Sequence, residues 1–294
     1  KILTTLKSSG SNKNNKIICL RPESDFEEFG EVAPSHFNVI YLSPNDRSLI
    51  RKASDASVLL IPAVGPKISN DIFSKTSLKM VQVTGAGIDR LDQDFCARNN
   101  IKVCNVLGAS AKSVAEYCIF AALTISRRLS KTTDEILLGN YKELRGNIIQ
   151  DRMFSLSGLT LGVIGFGSIG QETAKMFSAL GCQIQYYDPS DPKVAENLSQ
   201  IAVKNGKEEL LRTSDIISIH VPLIDQTKNL ISVQEFSLMK KTSILLNASR
   251  GGVVDEHALS QAILDKKIKG AAIDVFTINV RFSFLLSKKT LSSK

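Results

Sequence analysis

Five short apolar runs, KIICL at 16–20, NVIYL at 38–42, SVLLIP at 57–62, LKMVQVTG at 78–85 and IKVCNV at 101–106, alternate with polar or helical stretches. Runs of this length bounded by turn residues predict strands, and their alternation with helices predicts a small open α/β domain over residues 16–108. From Ala109 to about Arg128, Val114, Tyr117, Cys118, Ala121, Leu123 and Ile125 recur at helical spacing and predict a connecting helix. A second series begins at Gly158: LTLGVIG, a helix to Leu180 closed by Gly181, then QIQYYD, DIISIHVP, SILLNAS and KGAAIDVF. Strands nearly continuous in apolar residues are buried on both faces, so residues 109–276 predict a parallel sheet covered by helices. Residues 1–15 read as a disordered tail, and residues 277–294 as a basic tail rich in Ser and Lys that adds no further strand and helix.

One loop carries chemistry. The run GFGSIG places Gly165, Gly167 and Gly170 between the strand Leu159–Ile164 and a helix containing Glu172, Ala174, Met176 and Phe177. In that context Gly165 permits a tight turn, Gly167 lets backbone approach a pyrophosphate, and Gly170 allows close helix packing, while the helix N-terminus faces the anion. Asp188 follows at the end of the next strand, where a carboxylate accepts from ribose hydroxyls and repels a 2'-phosphate; with no Arg beside it, NAD is expected rather than NADP. A glycine turn without a nucleotide is the competing reading.

Composition narrows the partners. The net charge of +8 comes from Lys1, Lys7, Lys13 and Lys16 at one end and Arg281, Lys288, Lys289 and Lys294 at the other, leaving residues 17–280 neutral. A basic face for nucleic acid is therefore not expected. No apolar run reaches the length of a membrane span, so no membrane partner is expected either. Cys19, Cys96, Cys104, Cys118 and Cys182 form no C-x-x-C pair, which argues against a zinc site or disulfide framework and for a reducing, cytoplasmic location. The acid-free first fifteen residues leave organellar import as a weaker expectation.

With VTGAGIDRLD at 83–92, NVLGASAKSVAE at 105–116, HVPL at 220–223, NASRGGVVDEHAL at 247–259 and AAIDVF at 271–276, the glycine loop resembles the D-isomer-specific 2-hydroxyacid dehydrogenases over roughly residues 57–276. The resemblance implies two open parallel-sheet domains, a flavodoxin-like substrate domain and a Rossmann NAD-binding domain. It implies that Arg250 grips the carboxylate of a 2-oxo acid and polarises its carbonyl, a task for paired guanidinium donors. Ala86 and Gly87 would offer backbone N–H groups to that substrate. Asp274 would hold the nicotinamide amide, and Ser168, Ile169, Val221, Ala248 and Ser249 would line the cofactor. The plainer readings are a solvated loop for Arg250 and a turn cap for Asp274. His220 is expected to shape the cofactor pocket, and neither exposed His257 nor loop His36 is expected to act as an acid.

The sequence departs from the family pattern in one region. Asn279 occupies the position where the resemblance places a glutamate, and no histidine follows His257, although the family's proton donor is a histidine in a Pro-His segment there. The family's last cofactor-sheet strand and its C-terminal return helix are not recognisable in residues 277–294, as truncation, a shifted frame or a retained intron would each produce. The expectation is an NAD-dependent oxidoreductase by descent, impaired in proton transfer. A non-enzymatic NAD-binding or corepressor-like protein and a nonfunctional product are the alternatives. A homodimer through residues 109–150 is expected from the same resemblance.

Overall fold

A computed structural model describes residues 16–150, 155–190 and 192–277; the expected tails, and Asn279 with them, lie outside the described residues except for Thr277. The chain divides into two compact units, Lys1–Ala109 and Ser110–Lys294.

In the first unit, strands β1 (Lys16–Cys19), β2 (Asn38–Tyr41), β3 (Val58–Ile61), β4 (Met80–Val83) and β5 (Lys102–Cys104) form a parallel sheet. Their spatial order is β2-β1-β3-β4-β5, the flavodoxin-like doubly wound arrangement. The apolar runs become strands because their side chains fill a core in which Ile18, Leu59, Ile61, Val81 and Val83 are fully buried.

In the second unit, β6 (Thr160–Ile164), β7 (Gln183–Tyr187), β8 (Ala202–Lys204), β9 (Ile216–Ile219), β10 (Ile244–Asn247) and β11 (Gly270–Ile273) are parallel throughout, in the order β11-β10-β9-β6-β7-β8. This is the Rossmann order, with its switch point between β6 and β9. Every residue of β9 and β10 is buried, as their nearly continuous apolar runs require. Alternate residues feed two cores: Leu161, Val163, Ile244 and Leu246 pack with Phe166 and Phe177 in one, while Ile164, Ile217, Ile219 and Leu245 pack with Phe236 and Leu259 in the other.

The connecting helix spans Ala111–Arg127, slightly inside its expected bounds, and stops where Arg128 turns left-handed at φ 50°. Its small buried residues Ala115, Cys118 and Ala122 let it lie close to the helix Ser168–Ala179. Two further helices follow, Leu129–Leu137 and Tyr141–Gln150. Among the described residues no helix is long and apolar enough to cross a membrane. Strand β8 has no counterpart among the expected strands. It pairs only with β7, exposes two of its three residues, and so leaves no apolar run in the sequence.

Phe177 is fully buried between its helix and the sheet. Phe177→Ala is expected to destabilise the second unit by about 3–5 kcal/mol through the cavity it leaves, read as a shifted urea-unfolding midpoint; an unchanged midpoint contradicts this packing.

Candidate functional site

At the end of β6 the chain turns at Gly165, whose φ of +89° lies in the left-handed region. A Cβ there would stand 2.5 Å from the His220 carbonyl oxygen and 2.8 Å from Val221 Cγ1, so the turn fits against the end of β9 only as glycine. Phe166 is buried and stacks on Tyr186 with ring centroids 3.9 Å apart. Gly167 caps the helix Ser168–Ala179 in extended backbone without a side-chain cap, and a Cβ on it would meet no atom within 4 Å. At Gly170 a Cβ would overlap the Gly165 carbonyl oxygen. The result is an open helix N-terminus whose first-turn N–H groups, from Ser168 to Gly170, point along the helix axis with its partial positive charge.

Asp188 lies one residue beyond β7 and is half-buried. Its Oδ2 accepts from the Phe166 N–H at 2.7 Å, and its Oδ1 accepts from the Ser190 N–H at 2.9 Å and hydroxyl at 2.6 Å. The carboxylate is thereby tied to the middle of the glycine loop and held by neutral donors.

Beyond β9, His220 meets Ser218 Oγ at 2.8 Å through Nε2, while its buried Nδ1 finds no partner among the described residues. Burial pushes its pKa from 6.5 down to about 4, so the imidazole is neutral at physiological pH. Val221 follows it, half-buried against the glycine turn.

The segment after β10 is organised by a residue that sequence reasoning did not select. Asn247 is buried; its Oδ1 accepts from the Ser249 N–H at 3.1 Å and hydroxyl at 2.7 Å, and its Nδ2 donates to the Arg250 carbonyl at 3.2 Å. Ala248 is half-buried, Ser249 is buried, and half-buried Arg250 donates from Nη1 to the Ser249 carbonyl at 2.8 Å. The Asn247 carbonyl also accepts from the N–H of Asp274, which is exposed one residue past β11. Farther on, the Phe276 backbone lies over Gly251, where a Cβ would overlap its carbonyl, and Thr277 donates to both Glu256 carboxylate oxygens at 2.8 Å. A polar residue ending a wholly apolar strand was the signal that could have drawn attention to Asn247.

Because all six strands run parallel, Gly165 to Gly170, Asp188, Val221, Ala248 to Arg250 and Asp274 gather along the single carboxyl edge of the second sheet. Ala86 and Gly87 follow β4 at the corresponding edge of the first unit's sheet, where Asn105 Nδ2 donates to the Ala86 carbonyl at 2.7 Å. There too a buried arginine braces a loop: Arg90 donates to the carbonyls of Pro62 at 2.6 Å and Pro66 at 2.8 Å. His257 is exposed, its N–H held by the helix cap Asp255 at 3.1 Å, and His36 is exposed in a turn. Among the described residues no cluster of His, Cys, Asp and Glu is arranged to hold a metal ion.

The fold and this edge define a dinucleotide-binding α/β protein. Residues 119–281 match the family described as D-isomer specific 2-hydroxyacid dehydrogenase, NAD binding domain. The hydroxypyruvate reductase of Thermotoga maritima is 34% identical over 232 residues, covering 78% of this chain and 72% of that protein. The D-3-phosphoglycerate dehydrogenase of Methanocaldococcus jannaschii is 36% identical over 252 residues, which is 85% of this chain but 46% of that longer protein. The crystal structure of D-lactate dehydrogenase from Aquifex aeolicus, complexed with NAD and lactic acid, superposes with a TM-score of 0.75 at 29% identity, covering 90% of this chain and 77% of that one. The chain belongs to the D-isomer specific 2-hydroxyacid dehydrogenase family, and its second unit carries that family's NAD-binding domain.

Since the fold holds His220 neutral, the unfolded chain takes up its proton first as pH falls from 6.5 toward 4, and stability is lost across that window. His220→Asn is expected to flatten this part of the curve of thermal midpoint against pH; parallel curves for variant and parent refute a depressed His220.

Proposed function

We propose that the chain binds NAD(H) along the carboxyl edge of the second sheet and presents a small 2-oxo acid to it through Arg250, for reversible conversion to the 2-hydroxy acid. One observation carries the reading: the open glycine-loop helix terminus and the pinned Arg250 turn lie on the same sheet edge. The donors fit the dinucleotide. First-turn N–H groups of Ser168, Ile169 and Gly170 meet the pyrophosphate, Gly167 gives it room beside the tight turn at Gly165, and Asp188 accepts from the adenosine ribose and disfavours a 2'-phosphate. Asp274 accepts from the nicotinamide amide, with Val221, Ala248 and Ser249 lining that end. When bound, the cofactor supplies or accepts a hydride.

Arg250 supplies what the oxo acid needs, a planar cation with paired donors that grips the carboxylate and stabilises negative charge growing on the carbonyl oxygen. The Ala86 and Gly87 N–H groups are assigned to the same acid, which makes residues 16–108 the substrate domain and residues 109–276 the NAD-binding domain. Proton delivery is the weak step. Asparagine stands at 279 where the family resemblance has glutamate, His220 is held neutral, and His257 is exposed in the first turn of its helix. General acid catalysis contributes about 10² to 10⁴ in rate, so the asparagine at 279 is assigned a slower turnover beside intact NAD binding. That observation also supports the second reading, an NAD-binding protein without turnover.

A homodimer through residues 109–150 accords with the exposure of Phe120, Leu129, Ile136, Leu137, Leu138 and Tyr141 along those helices. Sedimentation equilibrium is expected to give a dimer mass; a monomer at every concentration removes the dimer. The free cysteines, all but Cys104 buried, accord with a cytoplasmic setting.

Purified chain is expected to bind NADH saturably by fluorescence and to reduce glyoxylate or hydroxypyruvate slowly. Arg250→Gln should leave NADH affinity intact while lowering kcat/KM roughly 10²-fold. Absent NADH binding sinks the proposal; NADH binding with no turnover at all selects the second reading, and an active Arg250→Gln chain removes the role given to the arginine.

A further inference from the structure

Gln171 follows the last glycine of the loop, in the first turn of the helix Ser168–Ala179, and its side-chain amide makes three hydrogen bonds to backbone. Nε2 donates to the Phe166 carbonyl at 2.9 Å and to the Lys193 carbonyl at 3.0 Å, while Oε1 accepts from the Ala195 N–H at 3.0 Å. Both partners of the nitrogen are carbonyls and the partner of the oxygen is an N–H, so the amide has only one consistent orientation.

The two peptide groups flanking Phe166 are thus both held: the Phe166 N–H by the Asp188 carboxylate at 2.7 Å, the Phe166 carbonyl by Gln171. Lys193 and Ala195 belong to the chain leaving β7 beyond Asp188 and Ser190, so the amide joins the glycine loop to the stretch that follows the ribose-binding carboxylate. Ser190 closes the arrangement by donating twice to Asp188.

We propose that Gln171 is a positioning residue that fixes the Asp188 carboxylate against the glycine loop and thereby sets both the affinity for the adenosine half of the dinucleotide and the preference for an unphosphorylated ribose. The proposal rests on the NAD reading above. With the amide in place, Asp188 stands where a 2'-phosphate would meet its charge. Without it, Phe166 loses the restraint on its carbonyl and the backbone at Lys193 and Ala195 loses its tie to the glycine loop, so the bonds that hold the carboxylate, from the Phe166 N–H and from Ser190, rest on a less firmly fixed backbone. Gln171 touches neither the reacting carbon nor the substrate acid in this account; it acts through Asp188.

The test uses the full chain and measures dissociation constants for NADH, ADP-ribose and NADPH by fluorescence and calorimetry, with thermal midpoints as a check on folding. Gln171→Leu leaves an apolar side chain one atom shorter and removes all three bonds. Gln171→Glu keeps an acceptor for the Ala195 N–H and replaces both donors with oxygen facing carbonyls. Both variants are expected to weaken NADH and ADP-ribose by the same factor, about tenfold for the loss of two or more modest hydrogen bonds, and to narrow the ratio of NADPH to NADH dissociation constants. Should Gln171→Leu fail to fold, Gln171→Glu alone supports or overturns the proposal by the same ratio. Unchanged affinity in a folded variant overturns it, as does an equal loss for NADH and NADPH, which marks a merely structural side chain. A parent chain that binds neither NADH nor ADP-ribose overturns the NAD reading itself, a result distinct from parent binding that the variants share.

Discussion

The cradle at residues 165–170 exists because two backbones touch where side chains would hold them apart: Gly170 against the carbonyl of Gly165, and Gly165 against the carbonyl of His220. These contacts bring the start of one helix down onto the sheet at the place where the strand order reverses. Everything assigned to the dinucleotide depends on that approach. A helix displaced by even one methyl group would carry its N–H groups away from the strand end, and the Asp188 carboxylate would lose the Phe166 N–H that fixes it.

The same economy governs the other end of the edge. Arg250 is a long, flexible cation, yet its backbone sits in a turn whose hydrogen bonds come from one buried asparagine, and the strand that presents Asp274 is tied to that asparagine's carbonyl. Polar groups held this way are already ordered before a ligand arrives, so less binding free energy is lost to ordering them. Burial serves a different end at His220, where the fold removes a charge rather than placing one.

Much of this was legible in the chain. Strands covered on both faces leave unbroken apolar runs, which is why β1, β3, β6, β9, β10 and β11 could be read from KIICL, SVLLIP, LTLGVIG, DIISIHVP, SILLNAS and KGAAIDVF. The glycine loop was legible because its three glycines answer three local steric demands. Strand β8 was not, since an exposed edge leaves Val203 nothing to be buried against. Gln171 and Asn247 were missed for another reason. Their roles consist of hydrogen bonds to carbonyls and amides brought near by the fold, and a single amide side chain in a sequence carries no mark of which backbone it will find. Arg90 belongs with them, a cation whose buried partners are the carbonyls of a loop preceding it by many residues.

The contact between Gly165 and His220 also bears on how the protein is made. A glycine loop looks like a local motif, complete once its own six residues exist, but its turn rests on the end of β9, and β9 is synthesised only after β7 and β8 and the helices between them. The chain must therefore close a long loop, at an entropic cost that grows with the logarithm of its length, before the cradle has its shape. A nascent chain stopped short of His220 carries all three glycines and still lacks the wall against which the first of them turns.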